Sequence, residues 1–284
     1  MIITIVGVGL IGGSLALGLK DQNFVSHVIG VDNSDLNLNK AIELKIIDEK
    51  SDLNRAVKKS DIIIVAIPVN SSIEVIKNIL NISDKQIVVD MGSTKENISE
   101  AINSHKNRKI FVASHPIAGT ENSGPQSAFK TLFNNKVAII CDKELSDSSK
   151  IATVEKMYQT LGMKVVYMDS KAHDVHLAYV SHLSHISSFA LGITVLDKEK
   201  DESAIFNLAG SGFESTVRLA KSSPEMWNPI FKQNSKNISD ALGEYIKQLE
   251  KFKYCIDSNQ YFESFEMMKN ANNIRRVLDG MIKK

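Results

Sequence analysis

Ile2-Ile3-Thr4-Ile5-Val6-Gly7-Val8-Gly9-Leu10-Ile11-Gly12-Gly13-Ser14 is the stretch whose reading settles the fold. Its β-branched run reads as a short strand, a G-x-G-x-x-G turn follows, and Leu15, Ala16 and Leu19 open a helical pattern. In that context glycine permits a tight turn and a close approach of backbone to a pyrophosphate, while the helix N-terminus offers unbonded N–H groups to the anion. Gly7, Gly9, Leu10, Ile11 and Gly12 are therefore expected to hold a dinucleotide. A second strand, Val28 to Val31, ends at Asp32, about 20 residues past the turn, where a carboxylate accepts ribose hydroxyls. That carboxylate would repel a 2′-phosphate and no Arg directly follows it, so NAD is expected rather than NADP.

The elements that follow alternate. Strand three is Ile62 to Ile67, stopped by Pro68 on the expected cofactor side, and Ser71-x-x-Glu74 predicts a capped helix running through Leu80. Strand four is Gln86 to Asp90, followed by a second capping box, Ser93-x-x-Glu96. Strand five is expected to end at Ala113 and to lead into the loop Ser114-His115-Pro116-Ile117-Ala118-Gly119-Thr120-Glu121. Pro116 biases His115 toward extended backbone, so the loop should project its imidazole as a base. Val137 to Ile140 and Val165 to Met168 add strands around a helix that Gly162 closes. The pattern predicts an α/β fold: a doubly wound, mostly parallel Rossmann-type sheet over residues 1–168, with Gly7, Pro68, Ser93 and His115 at the strand carboxyl ends.

From Ala172 helical periodicity replaces the alternation, predicting an all-α domain over residues 169–284. A long helix, Ala172 to Leu196, carries His173, His176, His182 and His185. Without an acidic or cysteine ligand set their spacing is weak ground for a metal site, and none is expected; His185 is the candidate for substrate contact. Small residues at 209–212 precede Arg218, a permanently charged fork suited to a carboxylate, and Trp227 follows in a Pro-started helix where its ring should pack in core. Ile238, Leu242, Tyr245, Leu249, Phe252 and Ile256 recur at spacings of four and three, with Phe265, Met268, Ile274, Leu278 and Ile282 beyond. That seam suits a homodimer.

Composition narrows the partners. In 284 residues, 34 Lys plus Arg face 33 Asp plus Glu, a net charge of +1, which gives no electrostatic reason to expect nucleic acid or a membrane surface. Only Cys141 and Cys255 are present, so no disulfide framework is indicated. With no targeting segment or apolar run long enough to span a bilayer, a cytoplasmic protein acting on a small molecule is expected.

In order along the chain, these motifs resemble the prephenate/arogenate dehydrogenase family. The resemblance rests on the Gly7 to Ser14 turn, Asp90-x-Gly92-Ser93-x-Lys95, His115-Pro116-Ile117-Ala118-Gly119-Thr120-Glu121, Ser181-His182-Leu183-Ser184-His185, Gly210 to Arg218 and Pro224-Glu225-Met226-Trp227. It implies oxidative decarboxylation of prephenate to 4-hydroxyphenylpyruvate with NAD, in tyrosine biosynthesis. His115 would be the catalytic histidine with Ser93 beside it, His185 and Arg218 would contact substrate, and Thr120, Glu121 and Trp227 would line the pocket. Two positions depart from the family pattern: Ser184 stands where proline is common, and Ser211 interrupts a glycine run. An arogenate dehydrogenase fits the same residues. A more distant reading is a 3-hydroxyacid dehydrogenase of the same two-domain build, which needs a catalytic Lys on the long helix, where Lys171 is the only candidate near the start. A non-catalytic NAD-binding sensor would account for Gly7 to Asp32 and the terminal helices alone.

Overall fold

The computed structural model describes residues 1–200 and 208–282. Asn207, at the head of the small-residue segment, the side chain of Ile282, and residues 283 and 284 lie outside the described residues. Strands β1 (Ile2–Val6), β2 (His27–Val31), β3 (Glu49–Lys50), β4 (Ile62–Val65), β5 (Ile87–Asp90), β6 (Phe111–Ile117), β7 (Val137–Cys141) and β8 (Lys164–Met168) form one eight-stranded sheet. Its order is β3-β2-β1-β4-β5-β6-β7-β8. All pairings are parallel except β6 with β7. The order reverses between β1 and β4, and in open sheets of this kind a crevice opens there at the strand carboxyl ends.

Strand composition explains why the sheet is covered on both faces. Ile62, Ile64 and Val89 point into one core cluster while Ile63, Val65 and Val88 point into the other, the period-two alternation of a pleated strand with apolar residues on each side. Helices α1 (Leu10–Asp21), α2 (Asp35–Glu43), α3 (Leu53–Lys59), α4 (Val69–Ile82), α5 (Glu96–Asn103) and α6 (Ser148–Thr160) connect the strands. Beyond β8 the described chain is helical: α7 (Ser170–Leu177), α8 (Leu183–Glu199), α9 (Ser211–Val217), α10 (Pro224–Gln233), α11 (Ser235–Asp257), α12 (Tyr261–Ala271) and α13 (Arg275–Ile282). Two compact units result, Met1–Ser235 and Lys236 onward. No helix among the described residues is long and apolar enough to cross a membrane.

Several local expectations are corrected. The chain makes a short polar strand, β3, that carries no apolar signal and forms because Glu49 and Lys50 pair with Ile29 and Gly30 of β2. Helix α4 starts directly after Pro68 as N-cap, so Ser71 lies within it and caps nothing. The second capping box fails for a long-range reason: the N-cap of α5 is Lys95, with no side-chain cap of its own. The two oxygens of Asp174, on α7, accept the N–H groups of Lys95 (2.8 Å) and Glu96 (2.9 Å) instead. Strand β6 does not stop at Ala113. It runs to Ile117, with His115 opposite Ile139 and Pro116 opposite Ala138 of β7. Pairing with β5 ends at Ala113, so Pro116, which cannot donate, sits where the strand has a neighbour on one side only. The predicted helix from Ala172 to Leu196 is interrupted by a π-helical turn, Ala178–His182, between α7 and α8.

A Cβ built on Gly12 would lie 2.2 Å from the Gly7 carbonyl oxygen and 2.6 Å from Ile5 Cγ2, whereas one on Gly9 meets nothing within 4 Å. Gly12→Ala is expected to cost ~1–3 kcal/mol through overpacking, lowering Tm by roughly 2–12 °C. Gly9→Ala should leave Tm within about 2 °C. Equal Tm values for the two variants in thermal unfolding would refute the close-packing account of this turn.

Candidate active site

The glycine turn is built to approach a ligand. Gly7 has φ +94°, and a Cβ there would lie 2.5 Å from the Ala66 carbonyl oxygen; its N–H donates to Val31 O at 2.8 Å, tying the turn to the end of β2. Gly9 is the N-cap of α1 and carries no side chain to satisfy the first-turn N–H groups, which leaves them for an anion. Asp32 stands beside them because its Oδ2 accepts the Val8 N–H (3.0 Å) and its Oδ1 the Ser34 N–H (2.9 Å). Leu10 is buried and Ile11 half-buried behind the turn, and Pro68 lies just past β4. An uncapped helix end, a turn that a Cβ would fill, and a carboxylate on the next strand fit a dinucleotide.

His115 is half-buried on the extension of β6. Its Nδ1 lies 2.9 Å from His173 Nε2, and His173 Nδ1 lies 2.7 Å from Asp174 Oδ1. Burial, reinforced by the neighbouring His173, Lys95 and His182, holds His115 well below the ordinary histidine value, so the imidazole is neutral. Lys95 is fully buried in an ion pair with Asp90 at the end of β5. Ser93 lies half-buried in the turn between them; among the described residues it makes no hydrogen bond to His115, whose ring is held by His173 instead.

The helical segments close around this edge. Asn234 Nδ2 donates to the Asp174 carbonyl (2.7 Å) and lies 3.1 Å from His182 Nδ1. Gln233 Oε1 accepts the Thr94 hydroxyl (2.6 Å), while its Nε2 donates to Val69 O (2.6 Å). His185 donates from Nδ1 to Ser181 O at 3.0 Å and stacks on Trp227, ring centroids 3.7 Å apart. Trp227 packs with Val69, Ile230, Phe189 and Phe231 as a core side chain, and its buried Nε1 has no partner among the described residues. The loop after β6 lies on α1, where Ser14 Oγ accepts the Phe129 N–H (3.0 Å). From the same loop Glu121 pairs with Arg218 at 3.4 Å, both partly open to solvent. Thr120 is exposed, its hydroxyl accepting the Asn122 N–H at 3.2 Å.

Sequence motifs point to His115, Ser93, Thr120, Glu121, His185, Arg218 and Trp227. They give no role to Asp174 or to the Asp90–Lys95 pair, and mark His173 and His182 only as members of a histidine series. The signal available was the His173-Asp174 dipeptide, an imidazole followed by a carboxylate one turn into a helix.

A nucleotide turn at the switch point and a neutral imidazole on the same sheet edge define a nucleotide-dependent enzyme of the α/β class. More narrowly, the chain belongs to the prephenate dehydrogenase family: residues 15–167 match the family's nucleotide-binding domain and residues 169–270 its dimerization domain. A crystal structure of prephenate dehydrogenase from A. aeolicus, in complex with hydroxyphenyl propionate and NAD+, superposes with a TM-score of 0.90. Its sequence is 32% identical, and the match covers 98% of each chain. The Bacillus subtilis prephenate dehydrogenase is 29% identical over 98% of this chain and 76% of its own. The Synechocystis arogenate dehydrogenase structure is 28% identical, covering 97% of this chain and 99% of its own, with a TM-score of 0.79.

Burial depresses the histidines of this site, His182 from 6.5 to about 4 and His115 and His173 in the same direction. Between those pH values the unfolded chain binds more protons than the native one, so stability rises with pH across the window and is lost on acidification. For His182 the loss by pH 4 reaches up to ~3 kcal/mol. Urea midpoints measured from pH 7 down to pH 5 should fall steadily; an unchanging midpoint would mean that these imidazoles titrate in the native state as they do in the unfolded chain.

Proposed function

We propose that the protein catalyses the NAD-dependent oxidative decarboxylation of prephenate to 4-hydroxyphenylpyruvate and CO2. The observation that carries this reading is His115: a neutral imidazole on the sheet edge where the glycine turn lies, with Arg218 within reach of the loop that follows it. NAD, when bound, supplies the acceptor for the hydrogen that leaves the ring carbon bearing the hydroxyl. His115 takes the hydroxyl proton as that carbon becomes a carbonyl carbon, and returns it to the oxygen once the ring carboxylate has left as CO2 and the ring is aromatic. No net proton is consumed, so one imidazole suffices.

The remaining side chains orient. Arg218, with Glu121 as its counter-charge, holds a substrate carboxylate; His185, backed by the Trp227 ring, presents its Nε2 to the substrate, and Thr120 lines the approach. Ser93 lies near the reacting hydroxyl. Gly7, Gly9, Leu10, Ile11, Gly12, Asp32 and Pro68 hold the dinucleotide. We assign substrate binding and dimerisation to the helical part of the chain beyond residue 168. Within the second compact unit, Leu249 (49%), Ile256 (61%), Phe262 (78%) and Phe265 (56%) are exposed, apolar area that a second copy would cover. Light scattering should give twice the mass of one chain, and a monomer at micromolar concentration would exclude that assignment.

Absorbance at 340 nm, with NAD and prephenate beside NAD and arogenate, tests the activity directly. Turnover of prephenate is expected; turnover of arogenate alone would reassign the substrate to the amino analogue, and turnover of neither would leave a nucleotide-binding protein without this chemistry. His115→Asn should lower kcat by ~100-fold or more with NAD affinity nearly unchanged, and near-normal turnover would remove it as the base. Arg218→Ala should chiefly raise the KM for substrate, so an unaltered KM would take it out of the pocket.

A further inference from the structure

Three side chains run in file from the sheet edge into α7. His115 Nδ1 faces His173 Nε2 at 2.9 Å, and His173 Nδ1 faces Asp174 Oδ1 at 2.7 Å. His173 is fully buried and Asp174 is 2% exposed. The carboxylate is anchored by two backbone amides, its Oδ1 also accepting the Lys95 N–H and its Oδ2 the Glu96 N–H, while the Asp174 main-chain carbonyl accepts from Asn234. It cannot turn away without stripping the first turn of α5.

Hydrogen placement along the file is then determined. An ionised carboxylate only accepts, so His173 Nδ1 bears the hydrogen. Burial keeps the His173 ring neutral, so its Nε2 is a bare acceptor. Facing that acceptor at 2.9 Å, His115 Nδ1 must donate, which leaves His115 Nε2 without a hydrogen. A free histidine side chain in water prefers the opposite form, with the hydrogen on Nε2.

We propose that His173 and Asp174 are positioning residues that lock His115 in its Nδ1–H form, so that Nε2 is the atom that accepts the substrate proton. The inference rests on His115 being the base of the proposed reaction, but the tautomer itself can be read without substrate. The partner that sets a ring's tautomer sits behind it, and here that partner is a second imidazole, oriented in turn by a carboxylate.

Two substitutions at residue 173 separate positioning from packing. In His173→Gln the amide oxygen can accept from His115 Nδ1–H while the amide nitrogen donates to Asp174. In His173→Leu neither bond exists. Nitrogen-15 NMR of ring-labelled protein, with the His115 resonances assigned by their loss in His115→Asn, should show Nδ1–H in the wild type and in His173→Gln, and Nε2–H in His173→Leu. Turnover should fall by ~100-fold or more in His173→Leu and by less than about tenfold in His173→Gln, with NAD affinity unchanged in both. An Nε2–H wild-type ring would overturn the proposal even if His173→Leu fails to fold. Equal loss of turnover in the two variants, with His115 unchanged in tautomer, would also overturn it. Loss of all activity toward both substrates in a wild type that shows Nδ1–H would sink the assigned reaction and leave the tautomer lock standing.

Discussion

The carboxylate of Asp174 is the constraint on which the rest of the structure depends. One group satisfies two orphan N–H donors at the start of α5, orients the ring of His173 and, through it, meets His115. The first turn of α5 follows β5 after the short turn at residues 91–95, so the contact ties the helical segment to the carboxyl edge of the sheet. A buried carboxylate is costly unless its lone pairs are filled; here backbone amides and an imidazole fill them. The same contacts that stabilise the fold therefore set the orientation of the proposed base.

Charge around the base is arranged to keep it neutral. Lys95 lies close by, but as half of an ion pair with Asp90 at the end of β5. Its charge is compensated, its position is fixed, and what it exerts on His115 acts against protonation. His182 lies on the same side, pushed down to about 4 by burial. A ring surrounded in this way keeps its lone pair at neutral pH without a neighbouring general base.

The π-helical turn at Ala178–His182 belongs to the same arrangement. Widened turns of this kind recur at functional sites. Here the turn separates His173 and Asp174, which serve the sheet edge, from His185, which stacks on Trp227. An unbroken α-helix would rotate one set relative to the other. The π turn lets one continuous helical path present His173 toward β6 and His185 toward the aromatic cluster around Trp227.

Local pattern was sufficient for the scaffold. The strand-glycine-helix run at Ile2–Ser14, Asp32 at the end of β2, the alternation of strands and helices and the change to helices after Met168 were all legible, because each depends on residues a few positions apart. The extended backbone at His115 was legible too, through Pro116. What sequence alone misplaced were ends and partners: the extension of β6 past Ala113, the start of α4 at Pro68, and the cap of α5. The first and the last were decided by a group distant in the chain. Strand β7 supplied the pairing that carries His115 and Pro116, and Asp174 arrived from 78 positions beyond Glu96 to replace a local cap. Sequence by itself determined the order of strands and helices and the place of the glycine turn; only tertiary structure decided which nitrogen of His115 faces His173, because that follows from a hydrogen bond between side chains 58 positions apart.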